Sequence, residues 1–248
     1  MQFKHPYKRD AKWLSVATFW FALLSTANVQ ATTDQGRGSE SNLLEWQFRV
    51  YLDNRPIGTH DFRVSATDSH QRVETEAGFD VKVLFFNAYR YRHQNVELWN
   101  DNCLLGIDAK TNANGELFNV TGSAGERGFN VSTGDATDSL PACVMSFAYW
   151  NPAFLKADRL LNSQTGEYED VDISSAGIEP VAINGSSIPA ERFDIRLSKG
   201  TISVWYSVAE QRWLALDAPA KGGRRIRYEP TKLPVYKNLA DRAIGNAS

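Results

Sequence analysis

The sequence predicts a mainly β protein: a large curved antiparallel sheet, either a half-barrel or a barrel, with one short covering helix. Polar and apolar residues alternate with a period of two through most of residues 43–230. Turn residues separate about a dozen short strands at a spacing of roughly ten residues, as in an antiparallel meander. Because each strand twists, a sheet of that many strands curls rather than lying flat.

The first half of this region contains clear strands. In residues 43–52, LLEWQFRVYL, the side chains of Leu44, Trp46 and Phe48 fall on one face. Further strands are predicted at residues 59–66, 70–86, 87–99, 103–111, 116–122 and 127–133. The Asn-Gly pair at 114–115 predicts a tight hairpin turn between two of them.

The second half returns to the same alternation after an interruption. Strands are predicted at residues 166–174, 179–185, 188–198, 200–208, 212–218 and 224–230. Turn signals lie between them at Gly185-Ser186, Lys199-Gly200 and Gly222-Gly223. The region shows no linker and no internal repeat, so we expect one domain.

The interruption, within residues 146–168, is rich in large apolar side chains and predicts the covering helix. Asn151 is a favourable N-cap and Pro152 a favourable first helical residue. An apolar stripe follows at helical spacing, formed by Trp150, Phe154, Ala157 and Leu161. We expect this stripe to pack on the concave side of the sheet, as a plug or a lid.

Residues 1–31 predict a cleaved signal peptide. A basic segment that contains Lys4, Lys8, Arg9 and Lys12 precedes an apolar run of fifteen residues, 13–27. That run is shorter than the roughly 20 residues that a spanning helix needs, although an uncleaved anchor is the alternative. Small residues at 29 and 31 suit a signal peptidase, so we expect cleavage after Ala31 and a periplasmic protein.

The rest of the chain then divides into a flexible leader (32–42), a single antiparallel β domain (43–230) and a C-terminal tail (231–248). It has 23 basic and 28 acidic residues, a net charge of −5, which argues against a nucleic-acid partner. Five arginines near tyrosines are interpreted as ion-pair partners of these acids, with an anion site as the alternative. They are Arg90, Arg92, Arg224, Arg225 and Arg227. We expect a monomer.

Two cysteines follow the predicted cleavage site, Cys103 and Cys143. An oxidising compartment favours a disulfide between them. The alternative is a pair of buried thiols that act as small core residues.

Four blocks of the sequence, in this order, resemble a family of exported bacterial proteins, domain of unknown function 6134. The blocks are FRVYLDNRPIGTHDFRV, NVELWNDNCLLGIDAKTNANGE, YWNPAFLKADRLLNSQTGE and ISVWYSVAEQRWLAL followed by GGRRIRY. The likeness extends over most of residues 43–230. The resemblance implies an exported, β-rich envelope protein and assigns no catalytic residue. A curled sheet with a helical lid is also similar, at the level of the fold alone, to periplasmic lipoprotein carriers.

The sequence lacks enzyme motifs such as His-Glu-x-x-His, Gly-x-Ser-x-Gly and Cys-x-x-Cys. His60 and His70 lie near predicted turns, where we expect them to be solvated. His93 is interpreted as a polar residue on the wet face of a strand, and a general base in a pocket is the alternative. No pair of histidine or carboxylate ligands recurs at strand spacing, so we expect no metal and no cofactor.

Aromatic residues, 12% of the chain, are the strongest positive indication of function. A curved sheet can present more inward apolar surface than one helix fills, and that leaves a cavity. We therefore predict a periplasmic binding or carrier protein for a hydrophobic small molecule, such as a lipid or fatty acid. The predicted ligand contacts are Phe85, Tyr89, Tyr91, Trp99, Tyr149, Trp150, Phe154, Leu161 and Trp205. The alternatives are a non-catalytic structural protein that holds an envelope protein partner, and an enzyme that uses a pocket histidine or carboxylate.

Overall fold

The computed structural model describes residues 43–66, 69–83, 86–134 and 136–236. The predicted signal peptide, the predicted leader and Phe85 lie outside the described residues. None of the helices in the described part has the length and apolar character required to cross a bilayer.

The described residues form a thirteen-stranded antiparallel sheet and a separate two-stranded hairpin. The strands are β1 Leu43–Leu52, β2 Arg55–Ala66, β3 Gln71–Val83, β4 Phe86–Asn100, β5 Cys103–Ala113, β6 Glu116–Gly125, β7 Gly128–Thr133, β8 Ala136–Leu140, β9 Arg159–Leu161, β10 Tyr168–Asp170, β11 Asp172–Ile183, β12 Ser186–Leu197, β13 Gly200–Ser207, β14 Trp213–Ala220 and β15 Arg224–Lys232. Short 3₁₀ segments lie at Pro152–Lys156 and Lys221–Gly223. The β9–β10 pair is the separate hairpin.

The order of strands in the sheet is β11-β12-β13-β14-β15-β1-β2-β3-β4-β5-β6-β7-β8. Consecutive strands are neighbours, and the pairing of β1 with β15 joins the two halves in the middle. The edges are therefore β8 and β11, which are not hydrogen-bonded to each other. The predicted curved antiparallel sheet is confirmed, and it is an open half-barrel rather than a closed barrel.

Tight turns with left-handed backbone set the register of two hairpins. Asn114 and Gly115 have φ angles of 59° and 98°, and they place Ala113 opposite Glu116 at the start of the β5–β6 ladder. Such angles suit asparagine and glycine, which explains the Asn-Gly signal in the sequence. The same pair recurs at 184–185 between β11 and β12.

A long connection, residues 141–171, which we call the strap, joins β8 to β11. These strands are the two edges of the sheet, so the strap has to pass from one edge to the other. It does so over the concave face, where Val144, Phe154 and Leu160 are fully buried in the main apolar cluster. The Cys103–Cys143 disulfide, with its Cα atoms 4.8 Å apart, ties the strap to the start of β5 and confirms the predicted pairing.

The prediction that a helix continues to Leu161 is wrong. Asn151 does cap a helical turn, accepting a hydrogen bond from the Ala153 amide at 3.0 Å, but the turn is a single 3₁₀ segment that ends at Lys156. Leu161 instead belongs to β9, and its amide donates to the Met145 carbonyl at 2.8 Å. The strap therefore satisfies its backbone mostly by pairing with itself.

The core lies between the concave face of the sheet and the strap. Four tryptophans are among its largest fully buried side chains: Trp46, Trp99, Trp150 and Trp213. A smaller cluster of Ile183, Ala190 and Leu214 packs separately, with Trp205 against it. Because Val204 and Tyr206 belong to the main core, the intervening Trp205 lies on the other face of β13.

Candidate functional site

The strap does not fill the concave face completely. A cavity of about 370 Å³ remains between it and the sheet, at the small end of the range for small-molecule sites. Its walls are formed by parts of β2, β3, β4, β13, β14 and β15, by the strap, and by the β12–β13 turn region. The side chains that line it include His60, Phe62, Thr75, Tyr91, His93, Asn95, Glu97, Phe147, Tyr149, Trp150, Gln164, Glu169, Lys199, Ile202, Pro219 and Tyr228.

A row of paired residues crosses the sheet beneath the cavity. His60 of β2 is opposite Ala77 of β3, which is opposite His93 of β4, which is opposite Thr111 of β5. The small alanine therefore separates two imidazoles on the same face. His93 Nδ1 is 2.8 Å from the Thr111 hydroxyl, and His60 Nδ1 is 2.9 Å from the Tyr228 hydroxyl.

Both imidazoles are held in the neutral form. Removal from water lowers the pKa of His93 to about 4. Burial, reinforced by the neighbouring His93, lowers the pKa of His60 to about 3. The prediction that His93 lies on a wet strand face is wrong, because its side chain is only 5% exposed. The prediction that His60 is solvated is also wrong, whereas His70 is exposed as expected.

Glu97 is a buried carboxyl on the same strand, 3% exposed. Its oxygens accept hydrogen bonds from Asn95 Nδ2 and Trp99 Nε1, each at 3.0 Å. Burial raises the pKa of the Glu97 carboxyl, although hydrogen bonds from Asn95, Trp99 and Ser146 act in the opposite direction. Among the described residues, no group of three histidine, cysteine or acidic side chains is arranged to hold a metal ion.

The strap supplies the opposite, more aromatic wall. Tyr149 packs its ring against Trp213 at 5.3 Å and against Phe154 at 5.6 Å, while Trp150 meets Trp99 edge-to-face at 5.7 Å. The backbone of this segment is fixed by the Tyr206 hydroxyl, which donates to the Tyr149 carbonyl at 2.6 Å. Aromatic packing and a backbone hydrogen bond thus anchor this wall to the sheet.

At the outer part of the cavity, the sheet and the strap are joined by a hydrogen bond between Tyr91 and Gln164, 3.0 Å long. Lys199 also lines this part, with its side chain 73% exposed and paired with Glu167 at 3.1 Å. An exposed lining residue places the opening of the cavity near the β12–β13 turn. Glu169, another lining residue, accepts from Asn162 Nδ2 at 2.8 Å.

The structure brings three of the predicted ligand contacts, Tyr91, Tyr149 and Trp150, together at the cavity. Trp99, Phe154 and Leu161 are fully buried in the core behind it. Tyr89 is 39% exposed, and Trp205 lies on the other face of its strand, where its indole nitrogen donates to Glu179 at 2.6 Å.

The sequence prediction missed the polar lining, above all Thr75, Asn95, Glu97 and the two histidines. A signal was present on β4. His93, Asn95 and Glu97 are spaced by two residues from each other and from Trp99, an obvious core residue, so they lie on the same face of the strand. The opposite face of β4, however, carries Val96 and Leu98 as well as polar residues, so alternation alone left the inward face undecided.

The five arginines that lie near tyrosines in the sequence form ion pairs, as predicted. Arg90 and Arg92 both contact Asp80, at 3.2 and 2.7 Å. The other three pair with carboxylates along β14, β15 and the first turn: Arg224 with Asp53, Arg225 with Asp217, and Arg227 with Glu229. None of the five lines the cavity.

Comparisons with known proteins identify a family and a protein of similar fold. A family model described as domain of unknown function (DUF6134) matches residues 48–231. The chain is similar to the crystal structure of a beta-barrel-like protein of domain of unknown function DUF1849 from Brucella abortus, with a TM-score of 0.58 and 9% identity over 79% of this chain and 99% of that one. A DUF1329 family protein from Desulfovibrio piger matches with a TM-score of 0.27 and 10% identity, over 83% of this chain and 90% of that one. No curated protein matches the chain.

Proposed function

The chain belongs to the family of domain of unknown function 6134, and from that premise we propose that it is an exported binding or carrier protein for a small, largely hydrophobic molecule. The observation that carries the proposal is the cavity of about 370 Å³ between the strap and the concave face. Its aromatic wall offers contact area to an apolar ligand, and that wall is anchored to the sheet by the Cys103–Cys143 disulfide and the Tyr206 hydrogen bond.

The proposed location outside the cytoplasm is supported by two features. Residues 1–31 have the basic and apolar segments of a signal peptide. The Cys103–Cys143 disulfide is the kind of bridge that persists in an oxidising, exported compartment. N-terminal sequencing of protein recovered from the periplasm should give a chain that begins at Thr32, and a chain that retains residues 1–31 would contradict cleavage.

Filling the cavity tests the binding function. Thr75 is 8% exposed and lines the cavity, so Thr75→Phe places an aromatic ring in the space that a ligand would occupy. We expect the wild-type protein to bind the uncharged probe N-phenyl-1-naphthylamine saturably, with one site per chain. Thr75→Phe should weaken that binding at least about tenfold, which corresponds to roughly 1.4 kcal/mol. Probe fluorescence measures the affinity, and native mass spectrometry shows whether a cellular molecule is retained.

The matched control is Glu76→Phe, which adds the same ring one residue along β3 on the exposed side. It should bind the probe as the wild type does, and thermal unfolding verifies that both variants are folded. If the wild type neither binds the probe nor retains a molecule, the carrier proposal is wrong. The interaction-protein alternative would then be the better one.

A further inference from the structure

We propose that the ligand is amphipathic and that its polar end is an uncharged hydrogen-bonding group, such as a hydroxyl, that lies against β4. This inference rests on the proposed binding function and specifies the chemical class of the ligand. A fatty carboxylate or an alkylammonium is then a poorer ligand than an alcohol with the same chain.

The cavity has two chemically different walls. Four successive inward positions of β4 carry polar atoms: Tyr91, His93, Asn95 and Glu97. Facing them are Phe147 and Trp150 of the strap, with Ile202 and Pro219 of β13 and β14. A ligand that complements both walls has an apolar body and a polar end.

Charge at the cavity also favours an uncharged polar end. Burial lowers the pKa of the His93 imidazole to about 4, so this group of the polar wall is neutral near pH 7, and burial raises the pKa of the Glu97 carboxyl. Among the described residues that line the cavity, Lys199 is the only lysine or arginine. It lies at the exposed opening, is already paired with Glu167, and has the acidic Glu169 nearby. The charge of Lys199 is thus offset by two carboxylates, so the opening does not favour an anionic head.

A carboxylate head placed against β4 would be buried there with no lysine or arginine beside it among the described lining residues. Such burial costs several kcal/mol, far more than burial of a hydroxyl that is hydrogen-bonded. For an alkylammonium, the carboxyl of the polar wall is that of Glu97, whose oxygens are already occupied by hydrogen bonds from Asn95 and Trp99. A neutral head avoids both costs.

The polar wall also has unused hydrogen-bonding capacity. His60 Nε2 and Asn95 Oδ1 are buried and have no hydrogen-bond partner within the protein. Buried polar atoms are seldom left in this state, because an unmade hydrogen bond costs about 1–3 kcal/mol. A hydroxyl both donates and accepts, so it can satisfy either atom after a small side-chain rotation.

The experiment compares three ligands that differ only in their polar end. Decanol, decanoate and decylamine compete with N-phenyl-1-naphthylamine for the full-length mature protein near neutral pH, each below the concentration at which it forms micelles. We expect decanol to displace the probe at a concentration at least about tenfold lower than either ion. If decanoate or decylamine competes equally well or better, the inference is wrong while the proposed binding function stands. If the probe itself does not bind, the proposed function fails, and the inference fails with it.

A variant tests the role of β4 in reading the polar end. Asn95→Leu keeps the number and branching of the side-chain heavy atoms but removes the unpartnered oxygen, together with the amide that donates to Glu97. It should lower the affinity for decanol about fivefold relative to that for the probe. The control is Gln94→Leu, which replaces an amide by leucine at the preceding residue, on the exposed face of β4. If the ratio of the affinity for decanol to the affinity for the probe is the same in Asn95→Leu as in the wild type, the assignment of the polar end to β4 is wrong. If Asn95→Leu does not fold, the three-ligand comparison on the wild type decides the question.

Discussion

His93, Asn95 and Glu97 occupy inward positions of β4, where the corresponding positions of β1 are Trp46, Phe48 and other apolar residues. Each buried polar group loses its hydration, and even a well-bonded one regains little more than it loses. A row of such residues therefore stabilises the core less than apolar residues would. Polar residues at core positions are characteristic of functional sites. The row therefore marks the part of the concave face at which we propose that the ligand binds.

The neutral His93 makes stability depend on pH. The pKa of His93 is about 4 in the folded protein against 6.5 for an unburied imidazole. Between those values the unfolded chain takes up a proton that the folded chain refuses, so stability falls as the pH falls. His93→Gln removes this pH-dependent contribution. Between neutral pH and about pH 4.5, the variant should therefore lose roughly 2 kcal/mol less of its free energy of unfolding than the wild type does. Urea unfolding at the two pH values measures the difference.

His70→Gln is the matched control, since it removes an exposed histidine outside the cavity. Its stability should follow the wild-type curve across the same pH range. Carboxylates that form ion pairs in the folded state also lose stability in acid, but they contribute equally to all three proteins. Parallel curves for wild type and His93→Gln would show that His93 is not held neutral by burial.

At the scale of elements, the strap shows where sequence patterns mislead. Asn151 and Pro152 correctly indicated the start of a helical turn, but Ala157 is extended and Leu160 lies in β9. A short apolar run fits helical and extended spacing equally well, and the choice is made by long-range pairing. Here the strap pairs with itself between Ser146 and Leu161, a contact that no local pattern contains.

The disulfide should hold this irregular element in place. It joins residues 40 positions apart, and closing a loop of that length stabilises a fold by about 4 kcal/mol in the chain-entropy model. The double variant Cys103→Ser, Cys143→Ser should lose a large part of that stability in urea unfolding and should bind the naphthylamine probe more weakly, because the strap is one wall of the cavity.

Reduction provides the control for this prediction. The wild-type protein in dithiothreitol should approach the stability of the double variant, and the double variant should not respond to dithiothreitol. Equal stability of oxidised wild type and double variant would mean that the strap is fixed by its packing alone.

At the scale of the whole molecule, alternation predicted most strands and their number, because each strand has one buried face. β1, for example, was predicted with its observed bounds, Leu43–Leu52. The order of strands was not predictable in the same way. The pairing of Val50 with Tyr228 places the first and last strands side by side, and it depends on contacts between the two ends of the chain. The cavity follows from that order, since it makes β8 and β11 the edges that the strap has to connect.

Because β1 and β15 lie at the centre of the sheet, we expect both halves to unfold together in one transition. Phe48 tests this coupling: it is fully buried and contacts Phe62 of β2 and Trp213 of β14, with ring centroids 6.4 and 4.3 Å away. Phe48→Ala should destabilise the protein by about 3–5 kcal/mol. Hydrogen exchange should report the same loss of protection in β3 and in β13, on either side of the central pair.

Leu117→Ala is the control for that variant, because Leu117 is 70% exposed and its truncation should leave protection in both strands unchanged. Far-UV circular dichroism and tryptophan fluorescence should give coincident urea transitions for all three proteins. A loss of protection in Phe48→Ala confined to β13, or two separate transitions in the wild type, would mean that the halves fold independently. The cavity would then lie across a joint between two units, and its volume would depend on how they move, whereas a single cooperative sheet keeps the polar row of β4 at a fixed distance from the strap.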